Sequence, residues 1–509
     1  MLKLLPIVVG LLAMPAAAET LKIGRAAGAP SLGNPFTTVG APSGGVWLAM
    51  FDALTVVGES GTLEPALAVS WRANGPTQWT FDLRPNVRFH DGAPFDADSV
   101  ADVFRWLRSD DGRRTYVGGE VAGIVDVSAA GPLKIEVTTK APDPLLPKRM
   151  SLVSIVAPHA WRTMGAEAFA RAPVGTGPFR LVKFDAERMA FERAPSWRAA
   201  DHISRLEVAI IPDGAARLQA LLSGAVDLIE GLSPDDAAVV TEAGFAVKAF
   251  PTPAVLTLAF RNVGNPSSPV QDRRVREAIN LAIDRGAMVR TIAGDERLMV
   301  NQGTVAGVVG FEAALGPIPF DPTRAKTLLA DAGYASGFDL AMEVTAGAGA
   351  AERAIYQKVA EDLRNVGVRV SLREIPFPTW LGRYLQNDWG KTDVFSFMWD
   401  ASLFHDIIRP VRNSSCARAN PFFCLPEVMP LIDDSERDMD PTRRDAKVRG
   451  IARQMRDAWG AIWLMQSVAH VAHRQGLGNL RLRAAGIEYE KIELARRASN
   501  RARINLGSE

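Results

Sequence analysis

The side chains best suited to acid–base or metal chemistry are two histidines and two acidic pairs. His470 and His473 would share a face if they lie on a helix, but no third ligand follows them closely, and ordinary surface or core histidines are more common. Asp235–Asp236 and Asp433–Asp434 are typical of solvated loops or helix starts. The sequence contains no phosphate-loop, dinucleotide-binding, nucleophile-elbow or zinc-protease motif. We therefore expect a protein that is not an enzyme and needs no cofactor or bound metal.

Two stretches rich in glycine, residues 40–45 and 175–177, are the nearest approach to a phosphate-binding loop. Neither has the spacing of such a loop. Glycine also serves turns and places where two backbones approach closely, and we expect that role for both stretches.

The first 18 residues have the layout of a secretory signal peptide. A basic start at Lys3 precedes an apolar run at 4–12, and small residues at 16–18 end it before Glu19. The run is shorter than the ~20 residues that span a bilayer. No Cys follows the expected cleavage site, so we expect a soluble periplasmic protein without an N-terminal lipid anchor.

Cys416 and Cys424 are the only cysteines of the chain. In an oxidising compartment a disulfide is the leading interpretation, and two free thiols are the alternative. The loop that they would close is short, so the bond would contribute only about 2.5 kcal/mol and would mainly hold a local loop.

Length and charge restrict the class of protein further. With 509 residues the chain is too long for one compact core, so we expect at least two lobes. Its formal net charge of +1 argues against a general nucleic-acid binder, which usually has a basic face. The hydrophobic fraction of 47% is that of an ordinary globular protein.

Hydrophobic periodicity predicts alternating strands and helices, which indicates an α/β fold. Strands are predicted around residues 21–23, 79–83, 206–210, 256–260 and 368–372. Helices are predicted around residues 100–107, 218–222, 275–282, 322–332, 353–366 and 441–466. Asp96 or Asp98 suits the start of the first of these helices, and Asp321 suits the start of the fourth, which Gly333 would end.

One segment resembles a known family closely. Residues 61–100 contain Pro65-Ala66-Leu67-Ala68, Trp71, Phe81-Asp82-Leu83-Arg84 and Phe89-His90-Asp91-Gly92-Ala93-Pro94. This combination resembles the extracytoplasmic solute-binding proteins of ABC importers, in the family 5 group of oligopeptide-, dipeptide- and nickel-binding proteins. Three further segments with similar motifs follow in the family's order, at 174–184, 275–285 and 320–334.

The resemblance implies a two-lobed periplasmic binding protein fold of the type II, cluster C-like kind, with a hinge and an extra subdomain. It places lobe one at 19–55, 178–254 and 473–509, the extra subdomain at 56–177, and lobe two at 255–472. The ligand would be buried between the lobes. The partners implied are a peptide or small-molecule ligand and inner-membrane permease subunits; we expect a monomer that binds no nucleic acid.

Ligand residues are also implied by the resemblance. In peptide-binding members a lobe-two strand ends in Gly-Trp, and an Asp three residues later holds the peptide's α-amino group. Here Trp399 matches the Trp, but Ser402 stands at the Asp position and an Asp lies instead at Asp400. Trp380 matches a second family Trp, and Asn387 stands where the oligopeptide binder has Arg. The weaker candidates are Ser43, Gly44 and Tyr116.

The exchange of a carboxylate for the Ser402 hydroxyl would remove a charge-assisted hydrogen bond from a desolvated ammonium group. Peptides remain the leading ligand class, but the departure favours a modified peptide or another polar solute. A receptor for a nickel chelate, an opine or another non-peptide solute is the alternative, and a periplasmic hydrolase or a chaperone or sensory role stays open.

Overall fold

The computed structural model describes residues 19–28, 31, 33–38, 44–185, 187–198, 202–346, 350–483 and 486–495. The strands are β1 (Thr20–Arg25), β2 (Thr55–Val57), β3 (Leu63–Pro65), β4 (Ala68–Gly75), β5 (Gln78–Leu83), β6 (Ile124–Gly131), β7 (Lys134–Thr139), β8 (Phe179–Phe184), β9 (Arg188–Arg193), β10 (Arg205–Ile210), β11 (Leu228–Glu230), β12 (Ala246–Phe260), β13 (Phe338–Thr345), β14 (Val368–Ile375), β15 (Val394–Asp400), β16 (Ala461–His473), β17 (Leu477–Gly478), β18 (Leu482–Arg483), β19 (Gly486–Ile487) and β20 (Glu493–Leu494).

The helices are α1 (Gly44–Met50), α2 (Ala97–Leu107), α3 (Asp110–Arg113), α4 (Tyr116–Glu120), α5 (Leu146–Arg149), α6 (Pro158–Arg171), α7 (Gly214–Leu222), α8 (Ala237–Glu242), α9 (Arg273–Leu281), α10 (Arg285–Met288), α11 (Pro322–Asp331), α12 (Ala350–Arg364), α13 (Phe377–Gln386), α14 (Ile408–Asn413), α15 (Met429–Arg437) and α16 (Pro441–Asp457). The predicted α/β class is therefore confirmed. Among the described residues, no helix is both long and apolar enough to cross a bilayer.

A ten-stranded sheet runs through the whole molecule in the order β14-β13-β15-β12-β16-β11-β1-β10-β9-β8. We call the half that contains β1 and β8–β11 the first lobe, and the half that contains β13–β15 the second lobe. Each half has its own large hydrophobic core, the first from segments within 21–228 and 471–492 and the second mostly from residues 255–465. A separate sheet, β4-β5-β7-β6, packs into the core of the first lobe.

The two long strands β12 and β16 pair with each other and belong to both lobes. Their ladder slips between Pro251 and Val255, next to Pro253. Proline has no N–H to donate, so the main-chain ladder weakens at this point. Side chains bridge the gap, because the Thr252 hydroxyl donates to the carbonyl of Ser467 at 3.1 Å. The main-chain pairing of the two strands that join the lobes is therefore interrupted at this crossing.

Several predicted local features are confirmed. The Asp96 carboxylate caps α2 by accepting from the N–H of Ser99 at 2.8 Å. Asp321 caps α11 in the same way, and Gly333 after that helix has a φ of 91°. A Cβ on Gly177 would lie 2.5 Å from the main-chain carbon of Met50, which is the expected close approach of two backbones. These local signals are readable because each depends on one or two residues.

The predicted helix over 441–466 is wrong in its last third. Helix α16 ends at Asp457, Trp459 has a φ of 51°, and strand β16 starts at Ala461. The apolar run at 461–465 is buried on both faces of the sheet, and periodicity alone does not distinguish such a strand from a helix. His470 and His473 consequently lie on a strand, three positions apart, and do not share a helical face.

The two cysteines form the predicted disulfide. Cys416 and Cys424 are bonded, with their Cα atoms 4.6 Å apart. Asn262, just after β12, donates to the carbonyl of Cys424 and accepts from its N–H, each at 2.8 Å. The bond therefore fixes a loop that is itself held against the end of a hinge strand.

Candidate functional site

A cavity of about 770 Å³ lies between the lobes, at the crossing of β12 and β16. The first lobe contributes to its wall Ala26, Arg217 and residues 229 and 231–234. The second lobe contributes residues 292–293, 295, 297–298, 351–352, 355 and 398. The crossing strands contribute residues 249, 251, 256 and 465–470. We call it the interlobe cavity. Its volume lies in the range of small-molecule binding sites.

The second-lobe floor of the interlobe cavity is apolar. Leu256 on β12 lies opposite Met398 on β15 and Met465 on β16. Residues opposite each other in a sheet point to the same face, so these three side chains form one surface. Met398 is 42% exposed. Methionine side chains adapt to irregular shapes, so the floor suits the apolar body of a solute.

Helix α12 brings one carboxylate to the cavity wall. Glu352 and Tyr356 lie four residues apart on one helix face, and the Tyr356 hydroxyl donates to Glu352 Oε1. Burial raises the pKa of the Glu352 carboxyl, and the hydrogen bond from Tyr356 opposes this shift. The carboxylate is therefore held in place by a buried neighbour while it still contacts the cavity.

The two arginines of the wall are already engaged with protein groups. Arg217 donates to the carbonyls of Ile211 and Pro212, both at 2.8 Å, and to that of Gly231 at 3.1 Å. Arg297 is paired with Asp295 at 2.7 Å. Arg217 therefore directs its Nη donors at main-chain carbonyls, whereas Arg297 forms its ion pair at the exposed rim of the cavity.

The crossing strands contribute polar side chains from β16. Gln466 donates from Nε2 to the carbonyl of Thr252 at 2.9 Å, so its amide is fixed across the hinge. Burial lowers the pKa of the His470 imidazole, which makes the ring neutral at pH 7. No hydrogen bond joins this ring to another residue of the described part of the chain. His470 is thus an available neutral donor or acceptor.

Trp399 lies on the opposite face of β15 from the interlobe cavity. It is 2% exposed, meets Trp463 edge-on at 6.1 Å and packs against Gly303. Side chains alternate along a strand, so Met398 faces the cavity and Trp399 faces the core. At the strand end Asp400 accepts from the N–H of Ser402 at 2.8 Å, which closes a short turn of half-buried residues.

Trp380 and Asn387 lie on and just after α13, away from the interlobe cavity. Trp380 donates to the carbonyl of Ser396 at 2.9 Å and stacks on Tyr384 at 5.1 Å. Asn387 ends α13 with a φ of 53° and donates to the carbonyl of Pro421 at 2.7 Å. Their observed contacts are therefore with the second lobe itself, and a role in ligand binding stays a prediction.

Two of the three weaker candidates, Gly44 and Tyr116, lie in the first lobe. Ser43 lies outside the described residues, and Gly44 is the first residue of α1. Tyr116 lines a second cavity of about 640 Å³, together with Glu120 and Arg409. Tyr116 thus does not line the interlobe cavity, and a role of these residues in ligand binding stays a prediction.

The second cavity lies beside a set of contacts between the lobes that we call the latch. Arg409 of the second lobe pairs with Glu120 at 3.2 Å and contacts the Tyr116 hydroxyl. Lys148 donates to the carbonyl of Phe404. His405 packs against Gly61, where a Cβ would come within 2.2 Å of the ring. The latch joins residues of the two lobes that do not line the cavity at the β12–β16 crossing, so movement of the lobes apart would break these contacts.

The wall residues Glu352, Met398, Gln466 and His470 were not identified from the sequence as ligand contacts. No motif marks them, because strands and helices far apart in the chain bring them together. For Met398 alone a signal existed, since its position next to Trp399 places it on the other strand face. Among the described residues, no group of three or more His, Cys, Asp or Glu side chains could hold a metal ion.

Comparison with known proteins gives consistent matches. The model of the bacterial extracellular solute-binding proteins, family 5 (middle region), matches residues 62–419. The nickel-binding periplasmic protein of Escherichia coli K12 is 26% identical over 475 residues, which cover 87% of this chain and 89% of that protein. A dipeptide-binding protein of Pseudoalteromonas sp. SM9913, solved with Met-Leu, has a TM-score of 0.80 at 20% identity and covers 94% of this chain and 100% of its own.

The NikA protein of Brucella suis, solved with Fe(III)-EDTA, has a TM-score of 0.78 at 23% identity and covers 94% of this chain and 100% of its own. Both solved structures show the same fold, so the predicted two-lobed architecture is confirmed. The ligands in these structures differ in chemistry, which means that the shared fold does not determine the solute.

Proposed function

The chain belongs to the bacterial extracellular solute-binding proteins, family 5, and from this premise we propose that it captures a solute in the interlobe cavity and delivers it to an ABC permease of the inner membrane. The observation that carries the proposal is that both lobes and both hinge strands line one cavity of about 770 Å³. A ligand there contacts both lobes at once, so its binding favours the closed form. A permease can then recognise the closed form.

The proposed ligand class is a peptide or a peptide-like solute, with a nickel chelate or an opine as the alternative. Family relatives with solved structures hold a dipeptide in one case and Fe(III)-EDTA in another. The protein would act in the periplasm as a monomer, after removal of residues 1–18 and without a lipid anchor, and would perform no catalysis. The division of the chain at 19–55, 56–177, 178–254, 255–472 and 473–509 is part of this proposal.

The direct test is mass spectrometry of the solute that co-purifies with protein exported to the periplasm. The recovered solute should raise the unfolding temperature of ligand-free protein, since a ligand at 100 times its Kd stabilises the folded state by about 2.7 kcal/mol. The 11 tryptophans supply a fluorescence signal for closure. Recovery of a chemically altered solute after incubation would contradict the binding function and favour a hydrolase.

The strand end gives a second test, specific to peptides. If Asp400 or Ser402 holds an α-amino group, Asp400→Ala or Ser402→Ala should weaken peptide binding, because a charge-assisted bond is worth about 1.5–3 kcal/mol. Unchanged affinity in both variants would exclude this end of β15 as the amino anchor.

A further inference from the structure

The described residues that line the interlobe cavity carry more negative than positive charges. Its titratable lining consists of three carboxylates, two guanidiniums and one imidazole: Asp236, Asp295, Glu352, Arg217, Arg297 and His470. With the imidazole neutral, the described lining therefore has a net charge of −1. A cleft lined by one excess charge attracts solutes of the opposite charge.

The two guanidiniums are poorly placed to bind an anion. Arg217 is 7% exposed and its Nη atoms donate to three main-chain carbonyls. Arg297 shares both its Nε and Nη2 donors with the carboxylate of Asp295. To bind a solute carboxylate, Arg217 would first have to release these carbonyls, and a buried polar group left unpaired costs about 1–3 kcal/mol. Arg297, whose side chain is 90% exposed, would have to leave Asp295 at the open rim.

Glu352 is the best-positioned anchor for a cation. Its partner is the hydroxyl of Tyr356, a neutral donor, and not a Lys or Arg side chain. The apolar floor of Leu256, Met398 and Met465 lines the same cavity. The wall thus presents a carboxylate without a cationic partner together with an apolar surface.

We propose that the interlobe cavity selects a small organic cation, with an ammonium or guanidinium group bound at Glu352, an apolar body on the methionine-rich floor, and no free carboxylate. This inference rests on the proposed binding function and names its ligand class. A cavity of this kind would bind an anionic metal chelate, or a peptide with a free C-terminus, more weakly than a cation without a carboxylate.

The test compares ligands that differ only in charge. Pools of di- and tripeptide amides, the same peptides as free acids, and their N-acetylated free acids would be titrated against ligand-free protein by calorimetry, with Fe(III)-EDTA as the anionic chelate. We expect the amides to bind at least about tenfold more tightly than the free acids, in line with the loss of one charged hydrogen bond. Equal or tighter binding of the free acids or of Fe(III)-EDTA would overturn the inference.

Glu352→Gln keeps the size of the side chain and removes its charge. We expect it to weaken binding of the amides about tenfold or more and to abolish their advantage over the free acids. Glu361→Gln is the matched control, because Glu361 lies on the same helix, is exposed and does not line the cavity. If Glu352→Gln and Glu361→Gln bind the amides equally well, Glu352 is not the anchor.

The charge of the co-purified solute is an independent test of the proposed ligand class. A cationic solute supports the inference, and an anionic solute overturns it while leaving the binding function intact. If no solute co-purifies and no probe binds, the proposed binding function itself fails, and the two failures are thus distinguishable.

Discussion

His405 should make closure of the lobes dependent on pH. Its ring lies half-buried in the latch, against Gly61 and near Lys148. Burial, and secondly the charge of Lys148, lowers the pKa of His405 from 6.5 to about 4, while Asp400 opposes the shift. Opening the latch returns the ring to water and its pKa towards the ordinary value.

The direction and the size of this pH effect on closure follow from proton linkage. Above pH 6.5 the ring is neutral in both forms and the latch has its full strength. As the pH falls from 6.5 to 4, the open form gains a proton that the closed form does not, so closure loses free energy. A pKa shift of this size lowers the free energy that favours closure by about 2 kcal/mol at pH 5. Because the ring is partly in contact with water, we expect roughly 1 kcal/mol. That is about fivefold in the closed-to-open ratio.

The pKa is measurable by NMR of the imidazoles, since the chain has only six histidines and a variant assigns the signal. His405→Asn suits this purpose, because Asn tolerates the φ of 44° at this position and does not titrate. Small-angle scattering should show expansion of the ligand-free protein between pH 7.5 and pH 5, and a weaker expansion in the variant. Titration of His405 near 6.5, or equal expansion of both proteins, would refute the reasoning.

Three other substitutions test the framework around the site. Glu120→Gln leaves Arg409 without its carboxylate and should weaken ligand binding about fivefold, or about 1 kcal/mol, in calorimetry with an unchanged circular dichroism spectrum. Cys416→Ser should lower the free energy of unfolding in urea by about 2.5 kcal/mol; an unchanged denaturation curve would mean that the bond does not form. Gly177→Ala should destabilise by about 1–3 kcal/mol in the same assay, whereas Gly316→Ala, where a Cβ meets open space, should be neutral.

Much of the local structure could be predicted because its causes are local. A cap such as Asp321 and a left-handed exit such as Gly333 are each decided by one residue and its own backbone. The first residues of β16 were wrongly predicted as part of a helix, because a strand buried on both faces has no alternation to detect. Where neighbouring elements bury a segment on all sides, its hydrophobic pattern does not distinguish a strand from a helix.

A ligand cavity was expected between the lobes, but most of the residues that line it could not be predicted from the sequence. Ile229, Glu352, Met398 and His470 come from four elements and meet only in the folded chain. The family resemblance favoured Trp399 as a cleft residue, whereas the alternation of β15 turns its side chain into the core of the second lobe, and its role in ligand binding stays a prediction. Which of two adjacent strand residues faces a cleft depends on what packs on each face, and that is a tertiary property.

The position of β16 in the chain affects how the protein is assembled. This strand follows residue 460, yet it lies in the middle of the large sheet, between β12 and β11. A chain that has emerged only as far as residue 460 therefore has two separate half-sheets, each with an unpaired edge that invites wrong pairing. The two half-sheets cannot be joined until β16, near the end of the chain, is available. If residues 1–18 direct export as proposed, this order of completion would delay assembly of the sheet until nearly the whole polypeptide has been delivered.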